Sequence, residues 1–483
     1  MVVNSLNFLF FFVVVFIAYY LPVFRNKPKY QNVLLLFSSY FFYGFADWQM
    51  IPVLFGATIV FYYAGWWLKR EMNHKNKSAA SRITSLSVVL GVGILLYFKY
   101  LNFFADSFAH LLGAIGFNVS WTTLNIVLPI GVSFFTFKLI SYVIEIHREH
   151  IEPCKNFVDF ATYIAFFPTI LSGPIDRPNK FIPQLAKVRL FNNMLAVDGC
   201  RQILWGMFTK MCIADNIANF TDSIWNNYSG LAASTLVVTA LLYFIQMYSD
   251  FDGYSNMAIG VGKVLGFNVT RNFNHPLLAR NMAEYWRRWH MSLTSWITDY
   301  VFMPLNISFR NMGNYGVIMA VIINLVVIGL WHGANWTYGL FGLYHGILFI
   351  PLVFSGAFGK NKKLKSSAKG LPQINDIIKM IGTFILVSFG LIIFRADSVT
   401  DALCYIGKFF SISILSIPSL SIKFYTYLFV LLMIILEWKC RLKEHPLQVL
   451  QIKKIYRWGI YVVLTILIMT CAGDQVQFIY FQF

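Results

Sequence analysis

The chain has 483 residues, of which 58% are hydrophobic, 18% aromatic and only 12% charged. Soluble domains carry about 25% charged residues, so this balance excludes a soluble globular enzyme and points to a polytopic membrane protein. The net charge of +18 is gathered in short connections between apolar runs. That is the positive-inside pattern of a protein whose partner is the bilayer, not a nucleic acid.

A membrane span takes ~17–25 mostly apolar residues. In chain order the candidate runs are 5–21, 33–46, 51–68, 83–98, 123–144, 157–172, 232–249, 315–331, 337–355, 376–394, 422–437 and 456–472. Several are short, so roughly ten to twelve crossings are expected, some of them re-entrant. The runs are continuous and do not alternate, which excludes a β-barrel. The expected fold is all-α, a polytopic transmembrane helical bundle with added re-entrant and interfacial helices. The first run lacks a basic leading region and a small-residue cleavage site, and reads as an uncleaved span. Basic clusters at Arg25–Lys29, Lys69–Arg82, Lys360–Lys369, Lys439–Lys443 and Lys453–Arg457 belong in the cytoplasm, which leaves both chain ends outside. Residues 106–120 read as an outer loop. Residues 174–230, with Arg177, Lys180, Lys187, Arg189, Arg201 and Lys210, read as loops and short helices at the inner interface.

No composition break sets off a soluble domain, so residues 1–483 read as a single membrane domain. No internal repeat is visible, which weighs against an inverted-repeat transporter. The six cysteines are scattered without a CxxC pair; they suggest neither a disulfide framework nor a metal site. One bridge between Cys404 and Cys471 at the outer face stays open.

The residue that stands out is His332, between the apolar runs Val317–Leu330 and Tyr338–Phe354. An ionisable ring at membrane depth is costly to desolvate and marks a functional site. It can exchange a proton near neutral pH. The alternative is a histidine that only hydrogen-bonds a neighbouring helix. The densest motif runs from Glu284 to Leu293. Read as a helix, it puts Trp286, Trp289, His290, Leu293 and Trp296 on one face. An interfacial helix explains the tryptophans and arginines, but leaves His290 without a purpose. His290 and His332 flank one predicted span, so they either meet in a cavity or lie at its two ends. If they meet, one can serve as general base while the other positions substrate. His345 reads as a core histidine bonded between helices. Asp250-Phe251-Asp252-Gly253-Tyr254 reads as a solvated turn, by its Asp and Gly content, or as a loop organising a cytoplasmic funnel. No GxSxG, HExxH or phosphate-cradling glycine loop is present to suggest a hydrolase triad or a zinc site.

Together these motifs carry a resemblance. The stretch YSDFDGYSNMAIGVGKVLGFNVTRNFNHPLLARNMAEYWRRWHMSLTSWITDYVFMPL (248–305), with WHGANWTYGLFGLYHG (331–346), resembles the membrane-bound O-acyltransferases (MBOAT), in their bacterial alginate O-acetyltransferase-type branch. Pro129–Phe134, Phe166-Phe167-Pro168 with Ser172-Gly173-Pro174, Phe394-Arg395-Ala396-Asp397 and the final FIYFQF extend the match over essentially the whole chain. The resemblance implies a helical membrane enzyme whose cytoplasmic and outer funnels meet at a thin barrier. It implies acyl transfer from a cytoplasmic thioester, acetyl-CoA or an acetyl group derived from it, to an extracytoplasmic polysaccharide. A periplasmic SGNH-type acetyltransferase is the implied partner, the bacterial inner membrane the implied location, and no bound cofactor or metal is implied.

By the same resemblance His332 matches the family's essential histidine and His290 its supporting one. Trp331, Trp336 and Trp289 are then expected to wall the cavity and exclude water. Arg287, Arg288, Arg271 and Arg280 are candidates for the donor's phosphates, although positive-inside topology also explains them. The apolar tail Phe478–Phe483 is either a packing plug or the carrier of an acyl relay, Tyr480. The sequence departs from the family at Asn306–Arg310, where relatives often have Gly-Gly-Asn-Arg. It departs again at Lys138, where glutamine is common. Two other readings remain: a teichoic-acid D-alanyl transferase, and a non-catalytic acyl or glycan transporter. The tail in the same chain favours the acetyltransferase branch over the first, and the paired histidines weigh against the second.

Overall fold

The computed structural model describes residues 3–24, 26–117, 128–359, 371–448 and 451–479. Among the described residues the regular structure is helical. The chain divides into two compact units, Met1–Cys200 with Ala258–Thr270, and Arg201–Met257 with Arg271–Phe483.

The first unit is built from α1 (Leu6–Tyr20), α2 (Pro28–Asp47), α3 (Ile51–Asn73), α4 (Lys77–Leu95), α5 (Leu101–Ala114), α6 (Val132–His147), α7 (Phe157–Ala165), α8 (Pro178–Leu185) and the start of α9 (Asn193–Met207). Local signals set the starts. Ser5, Asn76 and Asn156 cap α1, α4 and α7 with side-chain oxygens, and Pro28 opens α2. Leu6, Phe10, Val14 and Ile17 of α1 stay exposed, as expected of a helix face turned to acyl chains. Of the expected outer loop 106–120, residues 106–114 are helical, because α5 runs on to Ala114. The run 157–172 is not one span: α7 stops at Ala165, and buried irregular backbone follows to Asp176. Such backbone is tolerated at membrane depth only where protein covers it.

α6 is buried almost throughout and carries Lys138, which is 1% exposed. Its Nζ donates to the Tyr163 carbonyl at 3.2 Å and to Thr169 Oγ1 at 3.1 Å. The Tyr163 hydroxyl donates to the Asp176 carbonyl at 3.0 Å, while Asp176 Oδ1 accepts from Thr270 N at 2.9 Å and Thr270 Oγ1 at 2.7 Å. Lys138 therefore ends on groups of its own unit.

The second unit holds α10 (Asp215–Asn226), most of α11 (Ala233–Val264), α12 (Met282–Trp286), α13 (Met291–Ile297), α14 (Met303–Ser308), α15 (Gly313–His332), α16 (Trp336–Ile347), α17 (Ile350–Phe354), α18 (Ile374–Arg395), α19 (Val399–Gly407), α20 (Phe424–Lys439) and α21 (Lys454–Cys471). α15 and α16 form a hairpin packed backbone to backbone. A Cβ on Gly329 would lie 2.1 Å from the Tyr338 carbonyl oxygen, and one on Gly342 2.3 Å from that of Leu325. Small residues that let helices approach closely substitute for a hydrophobic drive between membrane helices. The hairpin holds His332 at the end of α15, and Asn335 caps α16 by accepting from Thr337 N at 3.1 Å.

The Asp250–Tyr254 segment is not a turn: it lies inside α11. Gly253 serves a crossing with α9, since its Cβ would meet the Gly206 carbonyl oxygen at 2.8 Å, and a Cβ on Gly206 would meet that of Gly253 at 2.5 Å. Among the described residues six helical segments are long and apolar enough to cross a membrane: Pro28–Asn73, Lys77–Ala114, Arg310–His332, Trp336–Phe354, Ile374–Arg395 and Lys454–Cys471. The described cysteines are free, so the bridge between Cys404 and Cys471 is not formed.

Candidate active site

The two histidines meet. His290 and His332 lie with ring centroids 6.5 Å apart, both buried, at 0% and 5% exposure. A catalytic hydrogen bond spans ~2.6–3.2 Å, so the 6.5 Å centroid separation is of the order at which two rings can share one hydroxyl oxygen. Trp331 closes one side, 5.7 Å from His290 and 5.0 Å from His332. Phe251 stands edge-on to His290 at 4.7 Å, and Phe394 edge-on to His332 at 5.1 Å.

The local backbone at His290 differs from the single helix the sequence suggests. α12 ends at Trp286 and α13 begins at Met291, with His290 between them in the left-handed region at φ 43°, ψ 51°. A non-glycine residue there is uncommon and persists where its surroundings over-determine it. The preceding loop does this. Met291 N donates to the Asn272 carbonyl at 2.7 Å, Ser292 Oγ to Asn272 Oδ1 at 2.6 Å, and Asn272 Nδ2 to Ser255 Oγ at 3.0 Å. Asn274 N donates to the Arg288 carbonyl at 3.0 Å, and Arg288 Nη1 returns a bond to the Asn274 carbonyl at 3.0 Å. The left-handed turn takes His290 out of the helical face on which sequence offsets had placed it.

The three expected wall tryptophans separate. Trp331 joins the histidine cluster. Trp289 is buried one layer away, stacked on Tyr285 at 5.5 Å and edge-on to Phe273 at 5.0 Å. Trp336, at the start of α16, is 63% exposed, so it does not wall a closed cavity; Phe251 and Phe394 stand against the histidines instead. Both lie in motifs legible in sequence, but nothing in their spacing assigned them to the rings. His345 accepts from Trp286 Nε1 at 3.3 Å, and its Nε2 lies 2.6 Å from where a Cβ on Gly390 would be. It is a buried interhelical histidine of the second unit.

The four arginines also separate. Glu284 takes Arg280 Nε at 2.9 Å and Arg288 Nη2 at 2.8 Å, and Arg280 also reaches Asp376 at 3.5 Å. Burial alone would push the Glu284 carboxyl up, but Arg280 and Arg288 hold it below its ordinary value. Arg271 lies 3.4 Å from His275 Nε2, and Arg287 donates to the Phe358 carbonyl at 3.3 Å. Burial, then the charges of Arg271 and Arg288, push His275 down to about 3 and keep it neutral at physiological pH. Among the described residues no group of three or more His, Cys, Asp or Glu could hold a metal ion. Tyr480 lies outside the described residues.

The site is a buried histidine pair set in aromatic rings, in a chain with six helical segments, among the described residues, long and apolar enough to cross a membrane; together these fit an integral-membrane enzyme. A sequence profile of the membrane-bound O-acyltransferase family matches residues 148–392. The chain is 36% identical over 409 residues to a probable alginate O-acetylase of Pseudomonas aeruginosa, covering 83% of this chain and 73% of that one. It is 30% identical over 438 residues to a peptidoglycan O-acetyltransferase of Helicobacter pylori, covering 83% and 78%. A teichoic acid D-alanyltransferase of Streptococcus thermophilus is 31% identical over 274 residues, covering 53% and 65%. The chain belongs to the membrane-bound O-acyltransferase family: it is a multi-pass membrane acyltransferase.

Proposed function

We propose that this enzyme O-acetylates an extracytoplasmic polysaccharide, an alginate-like exopolysaccharide or a cell-wall glycan, taking the acetyl group from a cytoplasmic thioester, with residues 1–483 acting as one catalytic domain. The observation that carries the reading is the meeting of His290, between α12 and α13, with His332, the last residue of α15. The alginate and peptidoglycan O-acetylating relatives support the acceptor class, since each match spans 83% of the chain against 53% for the D-alanyltransferase.

In this reading an acceptor hydroxyl oxygen attacks the thioester carbonyl; the new C–O bond forms as the C–S bond breaks. His332 takes the hydroxyl proton and returns it to the leaving thiolate sulfur. His290 positions the hydroxyl, and the rings of Trp331, Phe251 and Phe394 keep water from competing for the acyl group. A positioned base contributes typically ~10²–10⁴-fold. Arg271 and Arg287 attract the donor's anionic groups, with Arg280 and Arg288 chiefly bracing Glu284. The first acceptor hydroxyl is that of Tyr480, which then carries the acetyl group as an aryl ester; a hydroxyl of a periplasmic SGNH-type partner attacks that ester, takes the acetyl group, and gives up its proton to the departing phenolate. D-alanyl transfer is the second reading, favoured only by the shorter match.

The test uses membranes containing the full chain, an isotope-labelled acetyl thioester and extracted surface polymer. His332→Ala, inserted at normal levels, should lower ester-linked label by ~10²-fold or more. Undiminished labelling would reject the enzymatic role of His332.

A further inference from the structure

Beyond the ring cluster, the second unit contains a buried charged triad on which the C-terminal segment is seated. Lys210 lies in a π-helical stretch, Phe208–Ala214, between α9 and α10. Such wide turns mark functional sites more often than regular helix does. Its Nζ is 2.8 Å from Asp215 Oδ1 and 2.5 Å from Asp250 Oδ1, and all three side chains are buried. Burying an ion pair gains little stability, because desolvation offsets the attraction. A buried triad therefore calls for a use other than stability. Here the central lysine and one of its two carboxylates end on the backbone that follows α21. Lys210 Nζ donates to the Val476 carbonyl at 3.2 Å, and Ile479 N donates to Asp250 Oδ2 at 2.9 Å. Two further bonds hold the start of the segment: Gly473 N to the Met211 carbonyl at 2.9 Å, and Asn216 Nδ2 to the Cys471 carbonyl at 2.8 Å.

The clamped segment also reaches the histidines through one ring. Phe478 stacks on Tyr254 at 4.7 Å and packs on Phe251 at 5.8 Å, and Phe251 is the ring edge-on to His290 at 4.7 Å. A small polar cleft, with room for about one water-sized group, lies beside the clamp and is lined by Lys210, Asp215, Asp222, Asp250 and Arg395 and by Val476, Gln477 and Ile479 of the tail. We propose that Lys210, Asp215 and Asp250 are positioning residues: a charged latch that docks residues 476–479 against Phe251, the ring edge-on to His290, and so holds that wall in place for acyl transfer. The transfer part rests on the functional reading above; the docking part does not.

The test separates the two. In the full-length membrane protein, Ile479→Cys places a thiol on the clamped segment, and its alkylation by a small maleimide is followed by mass spectrometry at residue 479. The latch predicts slow labelling in this parent chain. It predicts labelling at least about tenfold faster with Lys210→Met or Asp250→Ala, the change expected when one charge-assisted hydrogen bond is lost. Lys210→Arg, which keeps the charge, should restore slow labelling and polymer acetylation together. Asp250→Asn, which keeps its volume and an acceptor for Ile479 N–H, should fall between and guards against a variant that fails to insert. Equal labelling rates in inserted Lys210→Met and parent protein would overturn the latch. Faster labelling with undiminished polymer acetylation would overturn its positioning role. If the parent acetylates no polymer, the functional reading fails, and the labelling rates still decide whether the latch exists.

Discussion

Two buried lysines, one in each unit, show how differently a membrane protein can use the same costly residue. Lys138 is 1% exposed and ends on a carbonyl and a hydroxyl of its own unit. Lys210 is 4% exposed, but bridges two carboxylates and a carbonyl of a segment 266 residues away in the chain. The first completes local packing. The second ties a distant segment to the wall of the histidine site. Burial alone does not tell them apart; the sequence distance of their partners does.

This contrast can be broken by substitution. Lys210→Met should have the larger effect: removing one member of a buried charged cluster costs about 3–5 kcal/mol, and polymer acetylation measured as ester-linked acetate should fall at least about tenfold. Lys138→Gln keeps a donor for the Tyr163 carbonyl and Thr169, so acetylation should stay within about threefold and stability should change by roughly 1 kcal/mol, read from thermal unfolding in detergent. A loss for Lys138→Gln as large as that for Lys210→Met would erase the distinction. The smallest effect should come from Glu284. Its carboxyl is held below the ordinary 4.5 by Arg280 and Arg288 against the push of burial. Its stabilising contribution is thus present above the unfolded value and lost as pH falls through the folded one. Glu284→Gln should flatten the fall in unfolding temperature below about pH 4.5 and leave the neutral-pH transfer rate little changed.

Much of the site was legible in the sequence, and what was not has a physical cause. His332 announced itself by its placement between apolar runs, and His290 by the motif around it. Their meeting was undecided, because helix offsets carry no information about a break. The left-handed conformation of His290 depends on Asn272 and Asn274, in a loop with no periodicity to read. Asp250–Tyr254 looked like a turn because Asp and Gly favour turns. In the fold Gly253 instead lets α11 cross α9 at Gly206, a pairing visible only in three dimensions. The latch was hidden for the same reason: Lys210 stood among basic residues assigned to the inner interface, and only the chain's return after α21 gives it partners. The all-helical bundle needed nothing beyond composition and continuous apolar runs. The number and ends of the helices depended on buried irregular backbone after α7 that hydropathy cannot distinguish from a span.

The central claim is that His290 and His332 form one site. The most direct test is a double-mutant cycle on polymer acetylation, using His332→Ala and His290→Asn, the latter chosen because asparagine tolerates the left-handed backbone. Residues that act as a unit are grossly non-additive. The double variant should therefore be no more than about twofold below His332→Ala alone, within the usual additivity error. Losses that multiply would contradict a single shared site.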